Sequence, residues 1–160
     1  MTDYVALLND VLRNVEGEPG WKVMGIGAEK DSPGFAYTIG LFHNYKHPEI
    51  ILFGLPIEIA FTLLNDVGDR VKRGEVIQPN VIYTDLVQKY PVIFKDIPNN
   101  DSDIREELFG IAVRFYGHVN FPVLQFIWTD PKGKFPWEDD CEMKTKLCQP
   151  LAWQELSPSP

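Results

Sequence analysis

Cysteine is scarce in this sequence. Only Cys141 and Cys148 are present among 160 residues, too few for the disulfide framework that stabilises small secreted domains. The first residues, Met1-Thr2-Asp3-Tyr4, lack the basic region and the apolar stretch of a secretory signal. We therefore expect two free thiols and a cytoplasmic location.

Long hydrophobic runs and clustered basic residues are also missing. The strongest apolar run, residues 50–53 with Leu55 after it, is far shorter than the roughly 20 residues that cross a membrane. There are 15 Lys and Arg against 23 Asp and Glu, a net charge of −8. Phosphate backbones and anionic membranes are bound chiefly through Lys and Arg. Neither nucleic acid nor a membrane is therefore an expected partner, whereas a basic protein would be attracted.

The sequence lacks the motifs of several enzyme classes. No serine lies in a Gly-x-Ser-x-Gly elbow, and Gly25 and Gly27 are followed by Lys30 where a dinucleotide fingerprint has its third glycine. Cys141 and Cys148 are seven residues apart, a spacing that matches no zinc pair. We therefore predict no catalytic residue, no metal and no cofactor. Whether the protein is an enzyme stays open, with a non-enzymatic role favoured.

The composition that is present is that of an ordinary globular domain. Hydrophobic residues make up 44% and charged residues 24% of the chain, and a length of 160 residues suits one domain. We predict a single domain over residues 1–150. Residues 151–160, which end in Ser157-Pro158-Ser159-Pro160, are predicted to form a disordered tail.

The spacing of apolar residues predicts three helices and six strands. Spacings of three and four residues indicate helices, and alternating or short continuous apolar runs indicate strands. Adjacent strands joined by turns favour an α+β fold, a mostly antiparallel sheet with about three packed helices. The predicted helices run from a cap at Thr2 or Asp3 to Val15, from Pro56 to about Arg73 and from Asp103 to about Tyr116, and the predicted strands cover residues 21–26, 35–41, 50–53, 81–86, 92–97 and 121–128.

A first polar cluster lies between residues 37 and 49. It contains Tyr37, Thr38, His43, His47 and Glu49. These side chains could bind a metal or supply acid–base groups, because imidazoles and a carboxylate are close in sequence. They could also hold the loop or a ligand by hydrogen bonds, which the absence of any established metal-site spacing favours.

A second cluster follows in the last predicted strand and the loop after it. Gln125 interrupts an apolar strand and would be costly to bury without partners, so we expect it to bind backbone or a ligand. Trp128 and Trp137 could wall a pocket for a flat ligand, or fill the core as large rings often do. Asp130 before Pro131 suits a turn. We predict that the two clusters meet in space and form one ligand site.

Several of these segments resemble one protein family. Residues 35–41 (FAYTIGL), His47-Pro48-Glu49 and residues 53–56 (FGLP), with residues 128–130 (WTD) and 133–137 (GKFPW), closely resemble the bacterial family called domain of unknown function 4262. The family often has His-Gly-Trp where this chain has Pro19-Gly20-Trp21, which lowers any catalytic reading. The resemblance implies a compact one-domain bacterial or phage protein, and it implies no activity.

Three functional hypotheses follow. The first is a non-enzymatic module that binds or sequesters a small polar ligand, for example a nucleotide-like signal, through Tyr37, Thr38, His43, His47, Glu49, Gln125, Trp128 and Trp137. Lys46 and Arg114 are the nearest candidates for a phosphate contact. The second is an acidic interaction or immunity-type protein that masks a protein partner, favoured by the net charge and the acidic residues at 138–142. The third is a hydrolase-like enzyme that uses His47 and Glu49.

Overall fold

The computed structural model describes residues 3–99 and 101–155 as one sheet with helices on both faces. Seven helices and six strands occur in this part of the chain. In chain order they are α1 (Tyr4–Glu16), β1 (Lys22–Ile26), β2 (Phe35–Ile39), α2 (Leu41–Tyr45), β3 (Glu49–Phe53), α3 (Ile57–Lys72), β4 (Ile82–Val87), β5 (Tyr90–Asp96), α4 (Ser102–Leu108), α5 (Gly110–Tyr116), β6 (Val123–Trp128), α6 (Met143–Cys148) and α7 (Ala152–Glu155).

The six strands form a single sheet in the order β1-β2-β3-β6-β5-β4. Every neighbouring pair is antiparallel except β3 and β6, which run parallel with Glu49 opposite Val123 and Ile51 opposite Gln125. Strands β1 and β2 form the predicted hairpin, with Val23 opposite Thr38. The predicted α+β class with a mostly antiparallel sheet is confirmed.

The sheet is covered by α3 on one face. Side chains of alternate residues point to this face from the central strands, as the period of two in a strand requires. They pack against Trp21 and against Ala60, Leu64 and Val67 of α3. The sheet residues in this cluster are Val23, Ala36, Ile50, Leu52, Leu86, Val92, Phe94, Leu124 and Phe126.

Helices α1, α4 and α5 cover half of the other face. Here the intervening residues of the same strands, such as Ile39 and Ile51, pack with Val11 and Val15 of α1 and with Ala112 of α5. Asp3 caps α1 by accepting a hydrogen bond from the Ala6 amide at 3.1 Å, as predicted for one of its two candidate caps; the other candidate, Thr2, lies outside the described residues.

The chain after β6 covers the remaining half of this face. Ile93, Ile127 and Phe135 form a small buried cluster against Leu151 and Trp153. Residues 151–155 therefore differ from the predicted disordered tail, because Ala152–Glu155 is helical and Ala152 is buried. Ser157, Pro158, Ser159 and Pro160 lie outside the described residues.

Four local predictions are corrected by the structure. The predicted helix over residues 103–116 is two helices, α4 and α5, because the buried Phe109 has a non-helical backbone between them. The predicted loop at 42–48 contains the short helix α2, and the preceding strand ends at Ile39 rather than at 41. Ile59, predicted to face the core, is 49% exposed.

Candidate functional site

Glu49 is buried at the start of β3, where its carboxylate binds the turn that precedes α2. Oε2 accepts hydrogen bonds from the amide of Gly40 at 2.9 Å and of Phe42 at 3.3 Å, and Oε1 accepts from the amide of Leu41 at 3.1 Å. The hydroxyl of Thr38 donates to Oε1 at 2.8 Å. A carboxylate at the N-terminus of a helix satisfies amides that have no partner within the helix.

Tyr116 supplies a further donor to the same carboxylate. Its hydroxyl binds Oε2 of Glu49 and in turn accepts a hydrogen bond from the amide of His43 at 3.2 Å. Burial raises the pKa of Glu49, and the hydrogen bonds from Tyr116, Gly40 and Thr38 oppose that rise. Burial next to this carboxylate also raises the pKa of Tyr116. Five donors therefore bind the two carboxylate oxygens of Glu49, so these oxygens serve to hold the local structure together.

His47 is buried with both ring nitrogens engaged. Nε2 accepts a hydrogen bond from the amide of Ile77 at 3.0 Å, which requires that this nitrogen carry no proton. Nδ1 lies 2.8 Å from the carbonyl oxygen of Pro48, to which it therefore donates. Burial lowers the pKa of His47, and the contact with Pro48 opposes that change. The imidazole is a neutral connector between two segments of backbone.

Tyr37 and His43 lie close to these residues but have different surroundings. Tyr37 is buried edge-on against Phe109, with ring centroids 5.3 Å apart, and burial raises its pKa to about 12. His43 is exposed, and the centroid of its ring lies 5.6 Å from that of Phe115. The structure thus brings together Thr38, Glu49 and the amide of His43, while the His43 imidazole lies outside the buried network.

Lys46 and Arg114, the two candidates for a phosphate contact, each lie over an aromatic ring. The Lys46 ammonium lies over Phe42 at 5.7 Å, and the Arg114 guanidinium lies over Tyr4 at 3.9 Å. Such contacts hold a cation by its attraction to the ring face. Both cations are therefore engaged near α2 and α5.

Gln125 ties the end of the chain to β6. Its amide nitrogen donates to the carbonyl of Pro150 at 2.7 Å, and its oxygen accepts from the amide of Ala152 at 3.0 Å. Gln149, which sequence reasoning missed, does the same for Trp128, whose amide and carbonyl it binds at 2.8 and 3.0 Å. Of the two partners predicted for Gln125, backbone or a ligand, the structure shows backbone.

Trp128 and Trp137 lie in separate places. The indole nitrogen of Trp128 donates to the carbonyl of Phe53 at 2.8 Å. Trp137 is 39% exposed, stacks on Phe135 with centroids 5.0 Å apart, and lies beneath the ammonium of Lys95 at 5.5 Å.

Glu49 and Trp128 lie at opposite ends of β3, whereas Tyr37 and Gln125 both lie level with Ile51 in the middle of that strand. Glu49 begins β3, whereas Trp128 contacts Phe53 at the other end of that strand. Four residue steps along a strand span about 13 Å. The single combined site that the sequence predicts is therefore not formed around Glu49 and Trp128, because β3 and β6 run parallel and place these two residues at opposite ends.

A cleft of about 330 Å³ lies beside Trp128, between α3 and the turn that joins β4 to β5. Its lining is mostly apolar, and the sequence analysis assigned most of these residues no role. The residues that line the cleft are Leu55, Ile59, Leu63, Val87, Tyr90, Pro91, Val92, Trp128, Thr129, Asp130 and Pro131.

Thr129 and Asp130 are the polar residues of this lining apart from the tyrosine. The hydroxyl of Thr129 is buried and has no hydrogen-bond partner among the described residues. Asp130 accepts hydrogen bonds from the amides of Lys132, Lys134 and Glu142, each at 2.9 Å. Burial opposes its ionisation, but these amides outweigh that effect and hold the pKa of Asp130 below its usual value. Its predicted turn role is confirmed.

The described residues contain no group of three or more His, Cys, Asp or Glu side chains that could hold a metal ion. Cys141 and Cys148 are both free, and burial raises the pKa of each thiol. Over residues 3–99 and 101–155, no helix is long and apolar enough to cross a membrane.

One comparison with known proteins gives a match. The model of a family described as a domain of unknown function (DUF4262) matches residues 17–142, from the loop after α1 to the residue before α6. No curated protein and no solved structure matches the chain.

Proposed function

Because the chain belongs to the DUF4262 family, whose description carries no activity, we propose from its geometry that it is a non-enzymatic module that binds a small ring-bearing ligand beside Trp128. The observation that carries the proposal is that Thr129, whose buried hydroxyl has no hydrogen-bond partner among the described residues, lines a cleft that is apolar except for Tyr90 and Asp130. Buried polar groups are nearly always hydrogen-bonded, so a buried group without a partner is a candidate for binding a ligand.

The size and lining of the cleft suit a small molecule. Ligand sites measure about 300–1,000 Å³ and combine apolar walls with a few polar groups, and this cleft measures about 330 Å³. Trp128 and Tyr90 offer ring surfaces for a flat ligand. The indole nitrogen of Trp128 is bound to the carbonyl of Phe53, so the ring is held in place before any ligand enters.

The charge of the lining limits the chemistry of the ligand. Of the eleven described residues that line the cleft, none is Lys or Arg, and Asp130 is an ionised acid whose oxygens bind amides. The cleft therefore favours a neutral or weakly cationic ring with one group that can bond to the Thr129 hydroxyl. The phosphate of a nucleotide-like ligand has no counter-charge here. Two free thiols support a cytoplasmic setting.

The first test is native mass spectrometry of the purified protein, followed by denaturation and identification of any released compound. A released ring-bearing molecule supports the proposal. If none is retained, a set of nucleobases, nucleosides and aromatic acids is screened by saturation-transfer NMR. Absence of binding by every compound of that set would overturn the proposal in its present form.

Variants in the cleft then locate the binding. Thr129→Val removes the hydroxyl with little change of shape, so ligand affinity should fall about tenfold, the equivalent of about 1.4 kcal/mol for one lost hydrogen bond. The melting temperature should stay the same or rise, because a buried polar group without a partner is removed. Unchanged affinity would argue against this site.

A matched pair of surface substitutions provides the control. Ile59 is 49% exposed in the cleft, and Ile82 is 56% exposed outside it. Ile59→Glu places a charge against the ligand and should abolish binding, whereas Ile82→Glu should not change it. Equal effects of the two substitutions would point to a general loss of structure.

The hydrolase hypothesis has no support from the geometry. The carboxylate of Glu49 is surrounded by its five donors, and both nitrogens of His47 are bound to backbone. A general base must reach the proton that it removes. For these two residues that would require breaking the bonds that hold the turn between β2 and β3.

A further inference from the structure

A second cleft, of about 470 Å³, lies on the face of the sheet opposite α3. It is formed by the end of the β1–β2 hairpin and by α4. Phe35, Ile104 and Leu108 belong to the core cluster of this face and form its apolar floor, and Ile26, 37% exposed, lies at its edge. The cleft therefore exposes apolar surface to solvent on a face that α4 leaves partly open.

The rim of this cleft is acidic. Glu29 on the hairpin and Glu107 on α4 line it, both are exposed, and neither side chain makes a hydrogen bond or an ion pair with any described residue. Asp103 and Glu106 add two exposed carboxylates on the same helix.

The cation of α4 does not balance this rim from the solvent side. Arg105 is buried beneath the helix, where its guanidinium binds the carbonyls of Phe121 at 2.5 Å and Ile97 at 2.9 Å. No described Lys or Arg lines the cleft. A ligand that enters from solvent therefore contacts both the apolar floor and the carboxylates of Glu29 and Glu107 at the rim.

An adjoining cleft extends this surface into a groove. It measures about 620 Å³ and shares Glu29, Ser32 and Pro33 with the first, so the two lie on either side of the hairpin loop. Its other lining residues are Lys30 and Asp31 of the hairpin loop and Lys144, Leu147 and Cys148 of α6, and Leu147 is 73% exposed. The groove is longer than one small molecule needs, and it changes from acidic at α4 to mixed charge at α6.

We propose that this groove docks an extended basic segment of a partner protein. An apolar side chain of the segment fills the cleft above Phe35 and Leu108, and flanking Lys or Arg residues bind Glu29 and Glu107. Charge complementarity supports this occupant, because the rim is acidic, its carboxylates are free of described partners and the whole chain carries a net charge of −8. The groove is separate from the cleft beside Trp128, so either proposal stands or fails independently.

The test is an NMR titration of the ¹⁵N-labelled full chain with three synthetic peptides. The probes are Ac-Lys-Leu-Phe-Lys-NH₂ and the same peptide with Ser or Glu in place of Lys. The Lys peptide should shift the amides of Gly27, Ile104 and Leu108, with an affinity about tenfold above that of the Ser peptide, since each exposed ion pair adds a modest gain. The Glu peptide should cause no shifts.

Charge-removing variants separate the groove from general attraction. Glu29→Gln with Glu107→Gln should weaken the Lys peptide about tenfold. The matched control, Glu16→Gln with Glu58→Gln, removes the same charge at exposed positions outside the groove and should leave the affinity nearly unchanged. Equal binding of the three peptides, equal weakening by the two double variants, or shifts confined to other parts of the sheet would each overturn the proposal.

Discussion

At the scale of single residues, Glu49 and His47 organise the chain around α2. The carboxylate of Glu49 accepts three amide hydrogens from residues 40–42, and a buried donor left without a partner costs about 1–3 kcal/mol. Gly40 fits this arrangement because its φ of 121° is a conformation that other residues rarely adopt. His47 extends the same construction to the segment before β4 through the amide of Ile77.

The bond between His47 and Ile77 predicts a loss of stability in mild acid. Burial holds the pKa of His47 below 6.5, its ordinary value, so the unfolded chain binds a proton at a pH at which the folded protein still does not. The stabilising contribution of the neutral imidazole is complete above about pH 6.5 and is lost as the pH falls through the folded-state pKa. Chemical denaturation of the wild-type protein between pH 7.5 and pH 5 should show this decrease.

Substitution of His47 checks the assignment. His47→Ala should lower the free energy of unfolding at pH 7 by about 1–3 kcal/mol, since the amide of Ile77 loses its acceptor, and should make the curve flatter between pH 6.5 and pH 5. The exposed His43 is the matched control, and His43→Ala should leave the slope unchanged. If the free energy of unfolding of the His47→Ala variant fell with pH as steeply as that of the wild type, the assignment would be contradicted.

At the scale of elements, the position of α3 depends on a contact between a glycine and a ring. Gly68 of α3 faces the indole of Trp21, and a Cβ at this position would overlap Cε2 and Cζ2 of that ring. Trp21 is also held by a 2.9 Å hydrogen bond from its indole nitrogen to Asn65 of the same helix. The helix therefore lies close to the start of β1.

The close contact at Gly68 predicts an unusual response to alanine. Gly68→Ala should destabilise the protein by about 1–3 kcal/mol through overpacking, although alanine is the better helix former. A Cβ added at Gly110 in α5 would have no neighbouring atom within 4 Å. Gly110→Ala should therefore be neutral or stabilise the protein by up to about 1 kcal/mol. Thermal and denaturant unfolding measure both; an equal gain at the two positions would show that α3 does not need the contact.

At the scale of the whole molecule, the fold extends beyond the part that the family model matches. Residues 17–142 contain the complete sheet. However, Val11 and Val15 of α1 and Ala152 pack on one half of a sheet face, and Leu151 and Trp153 pack on the rest of that face. Removal of both segments would expose apolar strand residues to water.

The two flanking segments predict the behaviour of a shortened chain. Residues 17–142 alone should unfold at a lower temperature than residues 3–155 and should bind the dye ANS, because the faces of β5, β6 and the hairpin lose their covers. Circular dichroism and dye fluorescence of the two chains provide the measurement. Equal melting temperatures and no dye binding would show that the flanking segments are dispensable.

Much of the element order could be predicted because it depends on local patterns. The apolar stripe of α1, the stop signals after α3 and the alternation in β2 are readable from neighbouring residues. The break at Phe109 could not be predicted, since that ring is turned into the core by contacts with Tyr37 and Phe121. Helix α2 was missed for the same kind of reason, because its N-terminal amides bind Glu49 from the next strand.

The candidate sites were predicted only in part. Gln125 was expected to bind backbone or a ligand and binds backbone, and Asp130 was expected to form a turn and does so, because a polar group in an apolar strand or before a proline has few other outcomes. Trp128 was named as a possible pocket wall, but the other residues of its cleft were not foreseen, since Ile59, Tyr90 and Thr129 come from α3, β5 and the chain after β6. Residues so far apart in the chain show no common pattern.

The sequence by itself determined the charge and the α+β order of helices and strands, because composition and periodicity are properties of neighbouring residues, and its short motifs carried the family resemblance. Only the tertiary structure decided which side chains share a site. The parallel pairing of β3 with β6 places Glu49 and Trp128 at opposite ends of the sheet. Strand direction and register are set by the packing of both sheet faces at once, and therefore so are the cleft beside Trp128 and the acidic groove at α4.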